Sequence, residues 1–127
     1  MKHVTVIALL LLSACVGTPV RDSIPQLLVG REVVYTPGAV DPNRQTWAAD
    51  GTTVFFRGGT GLFSGPLKGR WVVEDGKYCA WFGNNTSDAR ECWWVSTSEG
   101  GRNIRFKKAD FELIDFGPNE YNGVFVK

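Results

Sequence analysis

The chain reads as a small all-β domain: an antiparallel up-and-down barrel, or a nearly closed meander, of about eight or nine short strands with one short N-terminal helix. Three observations predict this. Turn signals recur at short intervals between runs that alternate apolar and polar residues. One stretch, Gly69–Trp94, holds four of the five tryptophans and two of the three cysteines. Two independent constraints on that stretch give the same partition of its side chains. Closure also removes the exposed edges that a flat meander of this length would carry.

In the central stretch, Asp75-Gly76 is a two-residue hairpin turn of the type that needs positive φ. It sets Glu74 against Lys77, Val73 against Tyr78, Val72 against Cys79, Trp71 against Ala80 and Arg70 against Trp81. Residues from Gly83 to about Ala89 are rich in Asn, Ser, Thr and Asp and read as a loop. Placing Cys79 opposite Cys92 then sets Tyr78 against Trp93, Ala80 against Glu91 and Trp81 against Arg90. With a side-chain period of two, Trp71, Val73, Tyr78, Ala80, Phe82, Trp93 and Val95 share a core face, with Glu91 its one charge. Arg70, Glu74, Lys77, Cys79, Trp81, Arg90, Cys92 and Trp94 share the outer face. A Cys79–Cys92 disulfide there would contribute roughly 3 kcal/mol on a chain-entropy estimate. Trp81 is expected between Arg70 and Arg90, a cation–π sandwich.

The remaining elements follow in order. Ser23–Gly30 reads as a short helix, with Ser23 as cap, Pro25 in the first turn and Gly30 at the end. Leu27 and Leu28 would plug something apolar. Arg31–Thr36 is a strand with Val33 and Tyr35 on one face. Arg44–Ala49 and Thr52–Arg57 form a hairpin around Asp50-Gly51. A two-residue turn there puts Trp47, Ala49, Val54 and Phe56 inside and Arg44, Thr46, Thr53 and Arg57 outside. Phe55 is then a misfit, apolar on the outer side. Gly58-Gly59-Thr60-Gly61 is followed by neither Lys-Ser/Thr nor a helical pattern, so it reads as a loop or bulge and not a phosphate cradle. Arg102–Lys107 and Asp110–Phe116 are expected to pair about Lys108-Ala109, with Phe106 against Phe111, Ile104 against Leu113, Lys107 against Asp110 and Arg105 against Glu112. Glu120–Lys127 is a last strand with Tyr121, Gly123 and Phe125 on one side. Such a barrel can be filled by its own side chains or leave one small cavity.

The N-terminus reads as a targeting segment. Met1-Lys2-His3 is a positive start and Val4–Leu12 a short apolar run, too short to cross a bilayer as a mature helix. Leu12-Ser13-Ala14-Cys15 then resembles the bacterial lipobox. The resemblance implies cleavage before Cys15 and lipid on its sulfur, usually with acylation of the new amine, which anchors stably where one chain would not. Val16, in place of Asp, implies sorting to the outer membrane by the enteric-type rule. On this reading residues 1–14 are a signal peptide, 15–22 a tether and 23–127 a single domain. Cleavage removes the only histidine, the only methionine and Lys2, which takes the formal net charge from +1 to zero. A neutral surface argues against nucleic acid as a partner. The two cysteines left suit an oxidising compartment.

Gly69-Arg70-Trp71 resembles the Gly-x-Trp element near the first strand of lipocalin-like, or calycin-like, barrels, although here it lies mid-chain. Leu27-Leu28-Val29-Gly30, Asp50-Gly51, Gly69-Arg70-Trp71 and Cys79, with Cys92 behind, together resemble an uncharacterised family of small secreted proteins of proteobacteria. That likeness spans roughly Leu27–Val95 and implies no established activity.

For function, the absence of histidine after cleavage removes Ser-His and Cys-His machinery and histidine-based zinc sites. No cofactor or metal is expected. Asp110, Glu112, Glu74 and Asp75 read as turn or outer-face charges, which leaves Glu91 as the candidate for carboxylate chemistry. The reading favoured is a non-catalytic binding module for a protein or an envelope component, with enzyme inhibition one version. Its candidate patch is the outward Trp81 and Trp94 flanked by Arg70 and Arg90, the composition of binding hot spots. The alternatives are a structural envelope lipoprotein and a carboxylate-dependent enzyme.

Overall fold

The structure, a computed structural model, describes residues 17–36, 38–110 and 119–126. Among them are strands β1 (Thr18–Val20), β2 (Glu32–Tyr35), β3 (Arg44–Trp47), β4 (Thr52–Arg57), β5 (Gly65–Glu74), β6 (Lys77–Phe82), β7 (Glu91–Ser98), β8 (Asn103–Lys108) and β9 (Glu120–Phe125). One short helix, α1 (Ile24–Leu28), precedes β2, and a 3-10 turn covers Ser87–Ala89. Strands β2 to β9 pair in chain order, all antiparallel, and β9 returns to β2. The result is an eight-stranded closed up-and-down barrel with β1 as an extra strand.

The central register is the expected one, from Glu74 against Lys77 through Arg70 against Trp81, and Cys79 against Cys92. Asp75 (φ 50°) and Gly76 (φ 73°) both take the left-handed conformation that the two-residue turn demands. Cys79 and Cys92 form a disulfide. Trp71, Tyr78, Ala80, Trp93 and Val95 are buried in the core, as are Val33, Tyr35 and Phe125.

The β3–β4 register differs from the expected one by one residue. Trp47 pairs with Thr53 and Gln45 with Phe55. The loop holds three residues, Ala49 to Gly51, closed by Ala48 N–H donating to the Thr52 carbonyl (2.9 Å), with Gly51 at φ 88°. Asp50 Oδ1 accepts from the Thr52 amide (3.0 Å) and the Thr52 hydroxyl (2.6 Å), which fixes this wider turn. Because the side-chain period is two, the slip exchanges the faces of β4. Thr53, Phe55 and Arg57 turn inward, and Val54 and Phe56 turn out. Phe55 packs against the core and stops being a misfit.

Two more expectations change. Within the segment read as a tether, Thr18–Val20 is strand β1, paired with Val95–Thr97 of β7. It takes up β7 past Tyr78–Trp93, where pairing with β6 ends. Pro19, which has no N–H, suits a strand paired on one side. At β8, Phe106 pairs with Val95 on one edge and Tyr121 of β9 on the other, so the places expected for Asp110–Phe116 are filled by β9. Residues 111–118, including Phe111, Glu112 and Leu113, lie outside the described residues.

The two ends of the barrel are unlike. At one, α1 lies across the point where β3 gives way to β4. Gly30 N–H donates to the Trp47 carbonyl (3.1 Å), and Val29 bridges Trp47. Ser23 makes no side-chain cap, but Pro25 occupies the first turn, and Ile24 and Leu28, one turn apart, are fully buried. The expected plug is therefore Ile24 with Leu28, and Leu27 packs at its margin. β1 begins at this same end, beside the β7–β8 turn. The other end is not plugged by any described element.

Candidate functional site

A cavity of about 300 Å³ opens at that second end. Its wall is built mostly from alternate, inward positions of the strands, as a barrel interior is, with Trp81 added at the mouth between Ala80 and Phe82. Tyr35 comes from β2, Gln45 from β3, Phe55 and Arg57 from β4, Tyr78, Ala80 and Phe82 from β6, and Trp93, Phe106 and Tyr121 from the strands beyond. The rings touch: Tyr35 stacks on Phe55 at 5.7 Å, Phe82 meets Phe55 edge-on at 6.3 Å, and Tyr121 meets Trp93 at 5.3 Å.

The buried polar groups of the floor satisfy one another. Tyr35 Oη donates to Gln45 Oε1 (2.7 Å). Gln45 Nε2 donates to Thr53 Oγ1 (2.9 Å) and Tyr78 Oη (3.2 Å). Trp47 Nε1 also donates to Tyr78 Oη (3.0 Å), and Thr53 Oγ1 donates to the Thr46 carbonyl (2.7 Å). Burying five such groups costs free energy unless each finds a partner, and the closed network supplies them. Burial pushes the Tyr78 hydroxyl up to about 12, against the opposing pull of the bonds from Trp47 and Gln45. Burial also raises Tyr35 well above the usual phenol range, helped by the neighbouring Tyr78 and Tyr121. Tyr121 is half-buried and raised, by burial first and by the charge of Glu91 second.

Charge enters the cavity at its rim. Glu91 is exposed there, as its inward register at a strand end implies, and Lys108 Nζ stands 3.8 Å from its carboxylate. Arg57 lines the cavity from β4. Its Nε is buried, and it has no hydrogen-bond partner among the described residues.

The outer patch is arranged differently from expectation. Trp94 is 42% exposed, and the cations over its ring are Arg21 (5.7 Å) and Lys77 (5.5 Å). Trp81, expected to face outward, is half-buried and lines the cavity mouth; it pairs across the strands with Arg70, but the Arg70 guanidinium turns to the Asp50 carbonyl (3.3 Å). Arg90 reaches Glu74 (3.1 Å) and the Ser87 carbonyl (2.7 Å). With both guanidiniums engaged elsewhere, the expected sandwich at Trp81 gives way to a cluster at Trp94. The register sets Trp81 and Trp94 on opposite sides of the Cys79–Cys92 bridge, which divides the patch. The Glu74 carboxylate lies within 4.8 Å of both sulfurs, a metal-like spacing, but the sulfurs are spent in the disulfide and Glu74 is paired with Arg90.

Sequence reasoning missed Arg57 and the Gln45–Thr53 network because of the β4 register. The signal was present: moving β4 by one residue brings Phe55 inside and takes Thr53 and Arg57 with it. Arg21 was missed because its segment was read as a tether. No protein-family model matches the chain, and neither a curated protein nor a solved structure matches it.

Proposed function

We propose that this is a lipid-anchored bacterial envelope protein whose barrel is a non-catalytic binding module, and that its ligand enters the open end. The observation that carries the binding reading is the cavity of about 300 Å³ walled by aromatic rings, at the lower bound of small-molecule sites. The lipobox-like Leu12-Ser13-Ala14-Cys15 supports the anchor, at Cys15, and Val16 supports the outer membrane. Mass spectrometry of membrane-extracted protein tests the anchor: a diacylglyceryl mass on Cys15 is expected, and an unmodified thiol refutes it.

Ligand-observed NMR with octanol tests the cavity. Ala80 lines it and is 5% exposed, so Ala80→Leu fills the space from within. Saturation transfer to octanol is expected for the unsubstituted protein and not for Ala80→Leu at an unchanged thermal midpoint. No transfer in either refutes the reading.

A second reading, a protein partner met in an inhibitor-like way, is favoured by one observation. Leu62 and Phe63 are 96% and 79% exposed on the β4–β5 loop, at the same end as the cavity mouth. Exposed apolar side chains at a rim are the usual material of a protein contact. Pull-down from envelope extract, with Leu62→Ser/Phe63→Ser as control, distinguishes it: a partner lost in the double variant supports it.

A further inference from the structure

We infer that the cavity selects a small monocarboxylate with an apolar body, its carboxylate held by Arg57. This deepens the binding reading above and rests on it.

The inference starts from which polar groups of the cavity are already satisfied. The hydroxyls of Tyr35, Tyr78 and Thr53 and the Gln45 amide are spent on one another. The one carboxylate among the described lining residues, Glu91, has Lys108 beside it. Asp41, across the end of β4, accepts from the Gly59 amide (2.7 Å). Arg57 is left. Its Nε is the buried side-chain polar atom without a partner among the described residues, and no ion pair of theirs includes it.

A guanidinium N–H withdrawn from water without an acceptor is unfavourable, and a ligand that supplies the acceptor to the half-buried Arg57 relieves it. The planar fork matches a carboxylate, with two parallel N–H···O bonds. The rest of the described wall is mostly rings, with Leu67 and Ala80, which suit a hydrocarbon body; Asn85 and the Tyr121 hydroxyl bring no cation for the second negative charge of a phosphate ester. Size adds a limit. At roughly 30 Å³ per water-sized unit, the cavity holds a ligand of about ten heavy atoms. Octanoate and 3-phenylpropionate are of that size.

The test is isothermal titration of the folded protein with octanoate, octanol and octylamine, repeated for Arg57→Gln and Arg57→Lys. Octanoate is expected to bind at least about tenfold more tightly than octanol, the scale of one hydrogen bond to a charged group. Arg57→Gln should remove that preference and leave octanol within about twofold, and Arg57→Lys should restore part of it. Equal binding of the three probes, or an unchanged octanoate affinity in Arg57→Gln, overturns the role of Arg57 while the cavity reading stands. No binding of any probe overturns both. The comparison of probes on the unsubstituted protein decides the matter even where Arg57→Gln fails to fold.

Discussion

The ring of Phe82 lies against Gly69: a β-carbon at 69 would stand 2.5 Å from Phe82 Cδ1 and 2.6 Å from the Trp81 carbonyl oxygen. The two residues face each other across β5 and β6. Glycine is needed here for the space it leaves, since this is where the β6 backbone and ring close over the inner face of β5. Gly69→Ala should therefore cost about 1–3 kcal/mol of stability, the usual penalty of overpacking. Chemical denaturation measures it. In a Phe82→Ala background the penalty should fall but persist, because the carbonyl remains. A Gly69→Ala protein as stable as the parent would contradict the contact.

The disulfide should contribute about 3 kcal/mol, since it closes a short loop in the unfolded chain. Urea denaturation of Cys79→Ala/Cys92→Ala against the oxidised parent gives the number. The double variant should still fold, because β6 and β7 keep their pairing and the Tyr78–Trp93 contact face.

The buried phenols predict the alkaline limb of stability. Burial raises the folded-state value of Tyr78 to about 12, above the ordinary phenol value of 10.0. Below pH 10 both folded and unfolded chains keep this proton, and the contribution is whole. Above pH 10 the unfolded chain ionises first, so stability is lost as pH rises toward 12. Tyr35 acts in the same direction. Ultraviolet titration should show half-buried Tyr121 ionising first and the other two only as the barrel opens. Tyr78→Phe should flatten the alkaline loss, at a cost in stability near neutrality from the donors of Trp47 and Gln45 left unpaired.

At the acid end, the hydroxyl and then the amide of Thr52 hold the Asp50 carboxyl below its ordinary value of 3.8. A lowered folded-state value means that the contribution is present above the unfolded value and is lost as pH falls through the folded one. Asp50→Asn should remove this part of the acid dependence. Thermal melts between about pH 2 and pH 6 check it, and an identical slope in the two proteins would count against the turn geometry.

Two Asp-Gly pairs show what the sequence made legible and what it hid. At Asp75-Gly76 both residues take positive φ, and every cross-strand partner counted from that turn is the observed one. At Asp50-Gly51 the same letters build a loop one residue longer. The difference is the residue that follows: Thr52 offers Asp50 a hydroxyl and an amide, whereas Lys77 offers no hydroxyl. One residue in loop length moved Arg57 from the surface to the cavity, so the fold class could be read while the site could not. The disulfide was legible because two separate constraints met at Cys79. The Trp94 cluster was not, because Arg21 arrives from a strand formed by only three residues that pair far along the chain.

The placement of β1 has a consequence for orientation. Thr18 begins it three positions after Cys15, so a fully extended backbone gives at most about 11 Å of standoff. If Cys15 carries lipid, the α1 pole is moored against the headgroups, with too little slack to turn over. The cavity's mouth then looks into the aqueous compartment, and whatever it captures arrives dissolved and is not drawn sideways out of the leaflet.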